Sequence, residues 1–193
     1  LREGDRFNVM TTERDVRFHL IVDLSRAHMW LYFIDVENNE HLLLKNFPVS
    51  LGRLDSGSAS GSLTPLGIYA LGDRIGIYKP GKVGHYNGES HEMIRTFGTR
   101  WIPFAKEVAK CTNPAKGFGV HGCPWRADHE GKLKEDRSVL GTYQTDGCIQ
   151  LAHEDIEQLF SIIITRPTTI EIVRDYFDAE LPGQPAACAA ELR

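Results

Sequence analysis

The sequence predicts a mainly β domain, and three observations lead there. The runs 18–23, 29–33 and 42–47 are short, rich in leucine, β-branched and aromatic residues, and separated by polar turns such as Glu37-Asn38-Asn39. Four further short runs, 67–71, 117–121, 148–151 and 168–173, are each bounded by Gly, Pro or Thr. Helical periodicity is convincing in one place alone, after His153.

Taken in order, the first three runs read as successive antiparallel strands. Between residues 51 and 65 the composition turns to Gly, Ser, Ala and Thr, and a second Gly-rich stretch covers 72–88; both read as loops. A third irregular region, 123–142, carries Pro124, Trp125 and a charged patch at 126–137, and loops of this length are often functional lids. The helix is expected over 153–165, because Glu154, Asp155 and Glu157 crowd its first turns while Ile156, Leu159, Phe160 and Ile163 recur on one face. Pro167 stops it, and 168–173 closes the domain as a strand. The expected organisation is an N-terminal extension at 1–17, one domain at 18–175 and a tail at 176–193. The last part of that tail, with Cys188, is Ala-rich and reads as a loosely ordered end.

At 193 residues one core suffices without metal or disulfides. The balance of 22 Lys plus Arg against 26 Asp plus Glu includes no dense basic run, so nucleic acid is not an expected partner. No apolar stretch approaches the roughly 20 residues that span a bilayer. The chain opens on Leu1-Arg2-Glu3-Gly4 without an initiator Met, which suggests either a trimmed chain or a processed protein whose signal peptide has gone. Oligomeric state is not legible. His85, His91, His129 and His153 lie in polar or loop contexts and are expected at the surface.

The chemistry concentrates in Thr145-Asp146-Gly147-Cys148-Ile149-Gln150 and His121-Gly122. A cysteine directly after a glycine, with a histidine ending an apolar run upstream, has the parts of a thiol nucleophile and its base. A free thiol is only a few per cent ionised near neutrality, so Cys148 needs a group that takes its proton, and His121 is the candidate. Gly147 lets the backbone turn tightly and brings amides, that of Cys148 included, toward an oxyanion. Asp146 has two readings, as a turn residue bonding its own backbone or as an orienting group for His121. Four cysteines, Cys111, Cys123, Cys148 and Cys188, cannot form two bridges if Cys148 stays free; a local Cys111–Cys123 bridge is left open. Cys111, His121, Cys123, His129 and Cys148 offer soft ligands within a short span, but their spacing fits no zinc signature, so neither metal nor cofactor is expected.

These residues carry a resemblance. The chain resembles the L,D-transpeptidase (YkuD-type) catalytic domain, whose signature is a His-Gly, a spacer and a Ser/Thr-x-Gly-Cys-apolar-Arg/Asn/His run. The likeness extends to Phe47-Pro48-Val49-Ser50-Leu51-Gly52, Thr64-Pro65-Leu66-Gly67-Ile68-Tyr69 and Trp101-Ile102-Pro103-Phe104, and covers roughly 18–173. It implies a β-sandwich with one helix and long active-site loops. It also implies a Cys148 nucleophile, a His121 base and a Gly122 carbonyl that fixes the His121 tautomer. The implied substrate is a peptidoglycan stem tetrapeptide, cut after its third residue, with an amine acceptor for transpeptidation or water for carboxypeptidation. That substrate places the protein outside the cytoplasm, in the periplasm or facing the cell wall. A wall-binding module without turnover is the remaining alternative.

Three departures from the pattern stand out. His121 and Cys148 are 148 − 121 = 27 positions apart, a long spacer that makes 123–142 look inserted over the site. Asp146 sits where His or Arg is common, and Gln150 sits where Arg, His or Asn is common. Thr145, Asp146, Gln150, Trp101 and Trp125 are the expected substrate contacts, with Thr145 also a support for the loop.

Overall fold

In the computed structural model, residues 15–86 and 88–181 are described. Cys188 and most of the expected N-terminal extension lie outside them. The expected first three strands are β1 (Val16–Asp23), β2 (His28–Asp35) and β3 (Glu40–Pro48), an antiparallel meander. Alternation along β1 sends Phe18, Leu20 and Val22 into the main core, while Ile21 joins Tyr32 and Ile34 on the opposite face. Both faces are covered, which is why the run reads as nearly continuous apolar sequence.

The short β4 (Leu51–Gly52) leads into β5 (Gly67–Leu71). The stretch 72–88, expected as loop, contains β6 (Gly76–Ile77) and β7 (Val83–Tyr86), the latter forming a hairpin with β8 (Glu89–Glu92). One helical turn, α1 (Ile94–Phe97), precedes the long β9 (Arg100–Ala109). Next comes β10 (Gly119–Gly122). The region expected to be irregular, 123–142, holds a second hairpin, β11 (Trp125–Ala127) with β12 (Leu133–Glu135), before β13 (Tyr143–Thr145) and β14 (Ile149–Leu151). Both hairpins turn on Gly-containing polar connections, whose weak apolar pattern hides short solvent-facing strands from a periodicity reading. α2 (His153–Ile163) and β15 (Thr168–Val173) follow.

The main sheet runs β14-β10-β9-β5-β15-β1-β2-β3, with β6 paired to β9. Two neighbours are parallel, β1 with β15 and β10 with β14; the other pairs are antiparallel. β9 joins the two halves of the sandwich: Trp101 to Pro103 pair with β10, while its C-terminal half pairs with β5. Leu20, Met29, Leu31, Phe47, Tyr69 and Ile102 meet Val120, Ile149, Leu151 and the apolar face of α2 in one core.

α2 starts without a side-chain cap from Ala152. Glu135 of the β11–β12 hairpin supplies it instead, its carboxylate accepting the His153 N–H, while Arg137 reaches Glu135 and Glu154. Residues 176–181, assigned to the tail, pack onto the domain: Tyr176, Ala179 and Leu181 cover Ile21 and Tyr32, and the Tyr176 N–H donates to buried Asp23 at 3.0 Å. No disulfide links Cys111 and Cys123. The Cys111 thiol donates to the Ile68 and Ala109 carbonyls, and Cys123 is a fully buried free thiol that burial pushes up to about 12.

Candidate active site

A cross-strand row organises the site. Trp101 of β9 lies opposite His121 of β10, His121 opposite Gln150 of β14, and Gln150 opposite Ser50 next to β4. Paired residues share a face, so Trp101, His121, Gln150 and Ser50 form one line across four segments. Cys148 precedes Gln150 by two positions, and alternation brings it to the same face. The opposite face carries Val120, Ile149 and Leu151 into the core. Period-2 alternation thus separates the reactive side chains from the apolar ones that hold them.

His121 is 3% exposed. Its Nδ1–H donates to the Gly122 carbonyl at 2.9 Å, so Nε2 carries the lone pair and is the basic nitrogen. Burial lowers its pKa to about 4, opposed by the carbonyls of Gly122 and Phe97. Phe97 meets the imidazole edge-on at 5.2 Å between centroids, and the Trp101 indole lies 5.6 Å away. Phe97 was not singled out in the sequence. An aromatic in a four-residue helix has no periodic signal.

The Cys148 thiol is half-buried and free, with its Sγ 3.8 Å from the Gly117 carbonyl. Burial raises its pKa to about 11; the Gly119 N–H lowers it and Asp146 raises it. Gly119 is a second residue the sequence concealed, because it acts through its backbone. Trp101 sits so close over it that an added Cβ would fall 2.7 Å from the indole and from the Ile102 carbonyl. With thiol and imidazole so far apart in proton affinity, both are neutral at rest, and no hydrogen bond joins them among the described residues.

The nucleophile turn is closed by Thr145. Its hydroxyl donates to the Cys148 carbonyl at 2.7 Å and accepts the Gly147 N–H at 3.1 Å. The Gly147 amide, expected near the oxyanion, is therefore occupied. Gly147 has φ +125°, and an added Cβ would lie 2.7 Å from the Leu63 carbonyl and against the Phe118 ring. Asp146 fills neither of its expected roles: its carboxylate neither caps the turn nor reaches His121 but pairs with Arg53 at 2.6 Å, both side chains open to solvent. Thr145 has taken the turn role, its γ-oxygen lying within reach of the Gly147 N–H.

Gln150 is 8% exposed, and its Oε1 is buried without a hydrogen-bond partner. Trp125 is not in ring contact with His121. It packs with Leu133 onto Met93, Ile94 and Phe97, and its ring meets His153 at 5.8 Å. His153, expected at the surface, is half-buried there, with Nδ1 3.3 Å from the Thr99 hydroxyl. Among the described residues, no group of three or more His, Cys, Asp or Glu is placed to hold a metal ion, and no helix is long and apolar enough to cross a membrane.

Residues 17–172 match the YkuD family, the L,D-transpeptidase catalytic domain. Comparison with curated proteins gives no match. Among solved structures, the helical cell shape determining protein Pgp2 from Campylobacter jejuni aligns with a TM-score of 0.56 at 14% identity, over 98% of this chain and 56% of that one. Bd1075 from Bdellovibrio bacteriovorus aligns with a TM-score of 0.53 at 16% identity, over 90% of this chain and 53% of that one. The chain thus spans about half the length of these structures, and at such identities the likeness is one of fold. The family match is far more extensive than the motif itself, running from β1 to β15, and by it the chain belongs to the YkuD family of L,D-transpeptidase catalytic domains.

Proposed function

We propose that this chain is a cysteine acyltransferase of the L,D-transpeptidase type, acting on peptidoglycan stem tetrapeptides outside the cytoplasm. The observation that carries the reading is the commitment of His121 Nδ1 to Gly122, which leaves Nε2 as a base on the face of a free Cys148 thiol. The Cys148 proton passes to Nε2 as Sγ attacks the carbonyl of the third stem residue. The Cys148 N–H is the oxyanion donor we assign, with the Gly147 amide held back by Thr145. His121 then protonates the departing amine of the terminal D-amino acid, leaving a thioester. An incoming amine attacks that carbonyl, loses a proton to Nε2, and the C–S bond breaks with the proton returned to sulfur. Water in place of the amine gives carboxypeptidation.

Because thiol and imidazole are neutral at rest, proton transfer is coupled to attack and does not precede it. Trp101, set on His121 and Gly119, is the wall of the cleft. Trp125 and the inserted hairpin act from behind, by holding α1 and the start of α2 in place.

The test is to incubate wild type and Cys148→Ala with disaccharide tetrapeptide and follow products by mass spectrometry. Cross-linked dimer from wild type alone supports transpeptidation, and tripeptide alone means that water is the acceptor. Turnover by the alanine variant would refute the nucleophile. Binding without product in wild type would leave a wall-binding module.

A further inference from the structure

Gln150 is the one polar side chain in the cross-strand row whose buried hydrogen-bonding atom is unused. Ser50 donates its hydroxyl to the Thr142 carbonyl, and His121 spends Nδ1–H on Gly122, but Gln150 Oε1 is buried with no donor. A buried acceptor left unpaired is costly, and a bound donor recovers that cost. Its position identifies the donor. Gln150 stands beside His121 in register and two positions beyond Cys148 on the same face. Resting on the acyl-transfer reading above, the nitrogen that leaves or attacks must lie between Cys148 and His121 Nε2, because it exchanges one proton with that imidazole. By strand register Gln150 lies beside that space.

We propose that Gln150 is a specificity-determining residue that reads the nitrogen of the scissile bond, its Oε1 accepting the N–H of the stem-peptide amide. During acylation that N–H stays on the departing nitrogen while His121 delivers the second proton. During aminolysis the attacking R–NH2 gives one proton to Nε2 and keeps the other, directed at Oε1, as the C–N bond forms and the C–S bond breaks. An alcohol exchanges its single proton with His121 and an ester donor carries no N–H, so neither offers Oε1 a hydrogen, whereas water keeps a second O–H as an amine keeps an N–H. Gln150 therefore favours amide donors over esters and amine acceptors over alcohols, and as a neutral acceptor it does so without adding charge beside the thiol.

The experiment compares kcat/KM for the disaccharide tetrapeptide with kcat/KM for its depsipeptide analogue, in which an ester oxygen replaces the scissile N–H. Iodoacetamide alkylation of Cys148 reports the integrity of the site. Gln150→Met, similar in volume but without the acceptor, is expected to lower the amide value at least tenfold, leaving the ester value and the alkylation rate within about twofold. Gln150→Glu, which retains an acceptor oxygen, is expected to keep the amide preference. If Gln150→Met does not fold, Gln150→Asn, which withdraws the oxygen by one carbon, is read in the same way. Parallel loss on amide and ester, or no loss on either, overturns the role of Gln150 and leaves the acyl-transfer reading standing. A wild type that turns over neither donor overturns that reading and the role of Gln150 with it.

Discussion

The backbone N–H of Gly119 faces the sulfur of Cys148, so the thiol leans on a main-chain donor of the neighbouring parallel strand while its base stands two residues further along. The donor only partly offsets burial, which leaves the thiol near 11. Its alkylation by iodoacetamide should therefore climb with pH toward a midpoint near 11, above the ordinary 9.0 of a thiol. Intact mass measured from pH 7 upward checks this; a plateau reached below pH 8 would mean a preformed thiolate.

His121 links stability to pH. Its folded pKa of about 4 lies below the ordinary 6.5, so between those values the unfolded chain binds a proton that the folded chain refuses. The contribution is complete above pH 6.5 and is lost as pH falls toward 4, by about 3 kcal/mol. Denaturant titrations of wild type and His121→Gln across this window should differ in slope, with wild type the steeper. Parallel curves would mean that the imidazole is accessible to protons.

Gly147→Ala should be more damaging than a methyl group suggests. The left-handed φ and the contacts with Phe118 and the Leu63 carbonyl together cost about 1–3 kcal/mol or more, and the turn that carries Cys148 must move. Loss of turnover with a lowered denaturation midpoint is expected; an unchanged midpoint would show that the turn relaxes freely.

Glu135→Ala removes the cap that the β11–β12 hairpin provides to α2. A loss of about 1 kcal/mol is expected, and Glu135→Gln, which keeps an acceptor, should recover most of it. Thermal denaturation of the two variants decides. Equal melting in both and in wild type would mean that water caps the helix as well.

The motif around Cys148, the His121-Gly122 pair and the amphipathic helix were legible in the sequence because each depends on local order: a nucleophile after a turn-forming glycine, a histidine at a strand end, apolar residues at a 3.6 period. So was the meander from β1 to β3, whose strands pair with their sequence neighbours. Long-range pairing was not legible. Only the register of β9, β10 and β14 aligns Trp101, His121 and Gln150, residues up to 49 positions apart, on one face. Backbone groups carry no residue signature, so the Gly119 donor was invisible in the sequence, as was the use of the Gly147 amide by Thr145. Likewise Asp146 could be assigned to a turn or to His121 until the fold brought Arg53 beside it, and Trp125 to a lid until α1 and His153 enclosed it. By itself, then, the sequence determined which side chains are chemically able to act. Tertiary structure decided which of them meet, because strand pairing turns distance along the chain into adjacency across a sheet.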